Sequence, residues 1–199
     1  PGYVRTRGSA LADIVRPVTG TTEFIDGISR YCLWIDDSYL TLARNVPPIQ
    51  ERIIKVHQYR VTGGEVAKTL TDRPHQFRYR HVASGPQIVV PHVSSERRSH
   101  LPIGWLDEQY IITHAASAIY EPTLVDFSVL SSRMHLSWAA TICGKLETRI
   151  RYASNSGWNA FPLPELTQKN MSDLTRSAED ILLAREAHFP ATIAYLYDP

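Results

Sequence analysis

The sequence predicts an α+β fold: a mixed, mostly antiparallel sheet with packed helices and a C-terminal helical extension. Three observations carry that expectation. Three runs (45–64, 121–145 and 167–189) place apolar residues at helical spacing. Between residues 76 and 118 the pattern changes to short alternating or wholly apolar runs separated by turn formers. A further alternating run, "KLETRIRY" (145–152), then follows the clearest helix at once.

Taken in order, residues 1–20 carry Gly, Ser, Thr and the arginines Arg5, Arg7 and Arg16 with little periodicity, and read as a lead-in segment. "RYCLWIDD" (30–37) is rich in aromatic and β-branched residues and reads as a buried strand. In "RNVPPIQERIIKVHQYRVTGG" (44–64), Asn45 is the expected N-cap. Prolines sit in the first turn, Ile49, Ile53 and Val56 form the apolar stripe, and Gly63-Gly64 ends the helix. "FRYRHV" (77–82), "PQIVVPHV" (86–93), "LPIGWL" (101–106) and "QYIITHAA" (109–116) are expected strands, giving a sheet with an arginine-bearing face.

"EPTLVDFSVLSSRMHLSWAATICGK" (121–145) reads as one long helix. Thr123 and Asp126 form a capping box, and Phe127, Leu130, Met134, Trp138 and Ile142 make one stripe stopped at Gly144. Met134 and Trp138 are expected in the core. "GWNAFPLPEL" (157–166) is a proline-punctuated connector. Thr167 caps an amphipathic helix on Met171, Leu174, Ala178, Ile181 and Leu182, and "PATIAYLYDP" (190–199) reads as one more short helix.

Composition is that of a water-soluble protein, with 43% hydrophobic residues, 21% charged residues and a formal net charge of +1. No apolar run approaches the roughly 18 residues that a membrane span requires, so no membrane association is expected. The chain starts at Pro1 without a methionine and reads as a piece of something longer. Cys32 and Cys143 lie far apart among apolar residues and read as core packing, which fits a cytoplasmic protein. The eight histidines show no zinc-site spacing, and no metal site is expected.

Charge is unevenly spread. Residues 73–100 carry five arginines against Glu96, and residues 131–152 carry Arg133, Lys145, Arg149 and Arg151 against Glu147. From Glu165 onward the acids outnumber the bases. The basic middle either faces a polyanion or consists of scattered surface pairs.

Catalytic motifs are missing. "NVPP" (45–48) has the wrong order for the Asn-Pro-Pro-aromatic motif of amino-methyltransferases. "GGEVAKT" (63–69) lacks the spacing of a phosphate-binding loop. No Gly-rich turn follows a buried strand, and no Gly-x-Ser-x-Gly elbow is present. The charged strand is the more informative feature. On one strand, Glu147, Arg149 and Arg151 would share a face. In a major groove, Arg pairs with guanine O6 and N7 and Glu accepts from cytosine N4, whereas phosphate contacts alone would exclude Glu. The alternative is an ion pair on a wet sheet face, worth about 0–1 kcal/mol.

"PHVSSERRSHLPIGWL" (91–106), "SSRMHLSW" (131–138), "RIRYASNSGWNAFPLPEL" (149–166) and "AREAHFPATIAYLYDP" (184–199) resemble, in order and spacing, segments of MmeI-like enzymes. "IVRPVTGTTEFIDGISRYCLWI" (14–35) is similar to the start of their target-recognition region. These are single-chain type IIL restriction-modification proteins that methylate adenine N6. The resemblance implies a DNA target-recognition domain over residues 1–164 and the start of a C-terminal helical region over 165–199. It implies double-stranded DNA as partner, together with a methyltransferase domain elsewhere in the same chain. That domain would hold S-adenosylmethionine, with Mg2+ serving cleavage, and this piece would carry no cofactor and no catalytic residue.

The resemblance also assigns base reading to Glu147, Arg149 and Arg151, and a groove contact to His114. Arg78, Arg80, Arg97, Arg98 and Lys145 would hold the DNA backbone. Ser94 and Ser95 could equally cap a turn, and Arg78 and Arg80 could equally pair across strands. Two departures bear on specificity. Relatives often carry Lys or Arg at the position of His92. They also carry Tyr-Asn-Asn-Phe-Pro where this chain has Trp158-Asn159-Ala160-Phe161-Pro162. A non-catalytic module docking an acidic protein surface is the rival reading.

Overall fold

The computed structural model describes residues 11–198. In chain order the first elements are β1 (Val15–Thr19), α1 (Thr21–Asp26), β2 (Arg30–Leu33), a 3-10 turn at Asp37–Tyr39, α2 (Leu40–Arg44), α3 (Pro47–Thr62) and α4 (Glu65–Lys68). Strands β3 (Gln87–Pro91), β4 (Val93–Ser94), β5 (Gly104–Leu106), β6 (Ile111–Ile112) and β7 (Ala116–Tyr120) follow. Then come α5 (Leu124–Ser131), α6 (Arg133–Ile142), β8 (Gly144–Leu146), β9 (Arg149–Arg151), α7 (Ser154–Gly157), α8 (Gln168–Ala187) and α9 (Ile193–Tyr197). The class is α+β, as the sequence predicts. The described residues fall into two compact units: those up to Pro17 with Tyr31–Val82, and Val18–Arg30 with the chain from Ala83.

The first unit is mainly helical, around Ile14, Ile35, Ala43, Ile49 and Ile53. Helix α3 buries Ile49 and Ile53 as the spacing predicts, but its N-cap is Val46 rather than Asn45. A residue before proline is driven into the extended region, which is the N-cap conformation, so Val46 takes that place ahead of Pro47. The strand expected over 30–37 ends at Leu33, and its first two residues are exposed. "FRYRHV" forms no strand. The carbonyls of Phe77 and Arg78 accept from the Arg73 guanidinium instead, at 2.8 and 3.3 Å, and side-chain bonds of this kind compete with a ladder.

The second unit holds the sheets. Strand β3 is wholly buried between β5 and β7, antiparallel to both, with Val89 opposite Gly104 and Ala118. A second antiparallel sheet has the order β4-β9-β8. Val18 and Thr19 of β1 pair parallel with Ile111 and Ile112 of β6. The lead-in reading of residues 1–20 therefore gives way to a strand from Val15, and its first ten positions lie outside the described residues. Ile88, Val90, Leu101, Ile103, Phe127 and Leu130 form the centre of the core. Helix α8 lies on α5, with Ala178 fully buried; its predicted cap Thr167 forms a capping box with Asn170. Arg185 fastens it further, donating to the Ile103 carbonyl at 2.7 Å and lying over the Phe127 ring.

The helix expected over 121–145 begins with the predicted Thr123–Asp126 capping box but breaks at Ser132. The Ser132 hydroxyl donates to the Val129 carbonyl at 2.6 Å and accepts from the His135 N–H at 3.1 Å. One side chain thus ends α5 and caps α6. The break changes which face of α6 is buried. His135 and Ala139 are fully enclosed, while Met134 and Ile142, expected in the stripe, are exposed at 60% and 45%.

Candidate nucleic-acid interface

Strand β9 is the middle strand of its sheet, and directly opposed residues share a face. Arg151 lies opposite Val93 and Gly144, and Arg149 opposite Leu146, so both arginines point to one side. Ile150 points to the other and packs on the core. This half of the predicted alternation holds. The other half does not, because "KLETRIRY" is a hairpin rather than one strand. Leu146 pairs with Arg149, which leaves Glu147 and Thr148 as a two-residue loop.

Glu147 therefore sits at the hairpin tip, with φ of 58°. The turn still brings it to Arg149, whose Nη2 donates to Glu147 Oε2 at 2.7 Å with both side chains open to solvent. Left-handed backbone costs a residue with a Cβ roughly 1–2 kcal/mol, more than an exposed ion pair returns. Lys145, opposite Ile150, lies on the face away from the two arginines.

His114, at the apex of the β6–β7 turn, is exposed. The turn is held by the Thr113 N–H on the Thr19 carbonyl at 2.8 Å and by the Thr21 hydroxyl on the Ala115 carbonyl. His92 joins this loop to the sheet. Its N–H donates to the Thr21 hydroxyl at 3.0 Å, its carbonyl accepts from the Tyr152 N–H at 2.7 Å, and its Nε2 lies 3.1 Å from Ser117 Oγ. Burial first, then the field of Arg151, then that of His114, push His92 below the ordinary imidazole value. Arg151 and His114 thus both act on the charge of one histidine. The sequence marks His92 only as a departure; nothing in its local pattern shows that it joins two elements.

Beneath β9 lies an aromatic layer. His135 meets the rings of Tyr152, Trp158 and Phe161, and Trp138 meets Phe161. Trp138 Nε1 also donates to the Ser156 carbonyl at 3.2 Å. Burial of His135 lowers its pKa to about 4. Gly157 is required for close approach, since a Cβ there would stand 2.7 Å from the Tyr152 ring. The strand carrying Arg149 and Arg151 consequently rests on a rigid base.

The remaining predicted contacts divide. Arg97 is exposed, with its N–H on Ser95 Oγ at 3.3 Å, so Ser95 does cap a turn. Arg98 is buried; its Nε donates to Asp198 at 2.6 Å and its Nη1 to Ser94 Oγ at 3.3 Å. Arg98 ties down the C-terminal segment, with its guanidinium engaged there rather than open to solvent. Arg78 and Arg80 belong to the first unit and lie on no sheet face. Among the described residues no three His, Cys, Asp or Glu side chains gather as a metal site, and no helix is long and apolar enough to cross a membrane.

The chain is similar to known proteins over nearly its whole length. Residues 3–165 match the family described as MmeI, target recognition domain. The chain is 36% identical over 191 residues to DNA methyltransferase A of Bacillus subtilis (strain 168), an alignment that covers 95% of this chain and 22% of that protein. It also matches a solved structure of the type IIL restriction-modification enzyme MmeI in complex with DNA, with a TM-score of 0.88 and 32% identity over 94% of this chain and 25% of that one. The chain thus spans about a quarter of the length of these relatives.

Proposed function

We propose, because the chain belongs to the MmeI target recognition domain family, that it reads the sequence of double-stranded DNA for a larger adenine-N6 methyltransferase and restriction enzyme. The hairpin tip carries this reading. Glu147 takes the positive φ of a two-residue hairpin turn, a place where glycine or asparagine would cost less, while its carboxylate meets Arg149 in the open. A side chain kept where glycine is favoured suits a functional site. In a major groove the pair would divide one C·G base pair, Arg149 on guanine and Glu147 on cytosine N4. Arg151 lies opposite Gly144, which has no side chain to cover it. It would address the next base together with His114, while Arg97 would hold a phosphate.

In this reading residues 1–164 are the recognition domain and 165–199 begin a helical region. The methyltransferase domain lies elsewhere in a cytoplasmic parent chain. S-adenosylmethionine supplies the methyl group there, Mg2+ serves cleavage, and the present residues hold neither. The chain's task is to grip the duplex while the catalytic domain extrudes the adenine.

The test is to express the parent reading frame in a host without adenine methylation and to map N6-methyladenine by single-molecule sequencing. Wild type should mark one motif, and Glu147→Lys with Arg149→Asp should mark a motif changed at one base pair. An unchanged motif removes the base-reading role of this pair. If the wild type marks no adenine and its affinity is equal for all duplexes, a protein-docking module is the better description.

A further inference from the structure

The first unit has no part in the base-reading surface described above, yet it exposes a basic and aromatic segment on a firm root. Residues 73–95 contain no Asp or Glu. Arg60 of α3 donates to the carbonyls of Leu70, Arg73 and Gln76 at 2.9, 2.6 and 2.7 Å, which closes the turn after α4 onto α3. The buried His75 and Gln76 both reach the Asp37 carboxylate, at 2.8 and 2.9 Å. Phe77 stacks on Trp34 with ring centroids 5.6 Å apart, and Arg73 holds the next two carbonyls.

Beyond this root the backbone runs without helix or ladder, and the side chains of Arg78, Tyr79 and Arg80 are exposed. Arg78 lies over the Tyr79 ring at 5.1 Å, and Arg80 donates to Gln76 Oε1 at 3.1 Å. The Asp37 carboxylate, already engaged by His75 and Gln76, also feels Arg80. A cleft of about 610 Å³ with Tyr59, Val66 and Leu70 in its wall lies against Phe77 and Arg78, so the segment is not packed down onto α4.

A flexible basic loop would lose side-chain and backbone entropy on meeting a polyanion; a segment rooted at both side chains and carbonyls has already met much of that cost. We propose that this arm is a second DNA-contacting surface, in which Arg78 and Arg80 hold backbone phosphates and supply affinity that is independent of sequence. The inference deepens the DNA reading above and rests on it for the choice of polyanion. The two surfaces differ in kind. The hairpin mixes signs, as base reading requires, whereas the arm offers only cations and an aromatic ring, as phosphate and sugar contacts require.

The experiment measures the affinity of the whole chain for two short duplexes, one bearing the mapped motif and one scrambled, as potassium chloride rises from about 50 to about 200 mM. Arg78→Ala with Arg80→Ala should weaken binding to both duplexes by the same factor, about tenfold or more. It should also reduce the slope of log affinity against log salt by about two. Arg78→Lys with Arg80→Lys should keep most of that slope, which separates lost charge from lost folding. Suppose wild type prefers the motif while the alanine variant matches it in affinity and slope on both duplexes. The arm then falls and base reading stands. If wild type shows no preference but the alanine variant still loses affinity and slope, base reading falls and the arm stands.

Discussion

His135 Nε2 and the Tyr152 hydroxyl lie 3.2 Å apart in the layer beneath β9, and His135 is fully buried. Burial holds the imidazole neutral, with its pKa near 4 against an ordinary 6.5. The unfolded chain therefore takes up a proton on this residue before the folded chain does. Stability is at its full level above pH 6.5 and falls as pH drops from about 6.5 to about 4. The loss due to His135 is on the order of 3 kcal/mol at the lower end. His92, also lowered, pulls in the same direction. Urea melts at steps between pH 7.5 and 4.5 should show this slope in wild type, and His135→Gln should flatten it.

Glu147→Gly should raise stability by about 1 kcal/mol, because glycine adopts positive φ without the Cβ clash. The same variant should lose discrimination at one base pair of the methylation motif. Gain of stability with loss of recognition, read by thermal melting and motif mapping together, would show that the strain is retained for function. A Glu147→Gly protein with unchanged motif would make the residue an accident of the turn.

Arg97 and Arg98 are neighbours in sequence with different predicted phenotypes. Arg98→Ala removes a buried guanidinium that joins Ser94 to Asp198, so its melting temperature should drop while the salt slope of DNA affinity stays as in wild type. Arg97→Ala should melt normally and reduce that slope by about one. Thermal melts and salt titrations on the two variants decide between these assignments.

Gly157→Ala would drive a methyl group into the Tyr152 ring. The ring is enclosed by the His135 layer and has little room to retreat, so the expected cost is about 1–3 kcal/mol. Chemical denaturation should show that loss, and a crystal structure of the variant should show Tyr152 displaced and β9 shifted with it.

Much of the site was legible in the sequence because it depends on local rules. The Thr123–Asp126 and Thr167 caps, the buried run 87–91 and the helix from Pro47 follow from capping chemistry and apolar spacing within a few residues. Alternation likewise put Arg149 and Arg151 on one face, and the register of β9 agrees. The failures share a cause. "FRYRHV" alternates like a strand, but the Arg73 side chain takes its carbonyls. The long helix breaks because one serine hydroxyl serves both halves.

By itself the sequence determined the fold class, most elements and the family, since these rest on periodicity, caps and ordered motifs. Only the tertiary structure decided what each charge is free to do. Arg97 and Arg98 have the same chemistry and adjacent places in the chain, yet burial against Asp198, a hundred residues on, commits one to holding the fold. Glu147 and Arg149 meet because the chain reverses between Leu146 and Arg149. His92 meets Thr21, Ser117 and Tyr152 because three separate segments converge on it. Such relations depend on which distant atoms share a desolvated space, and no local pattern records them.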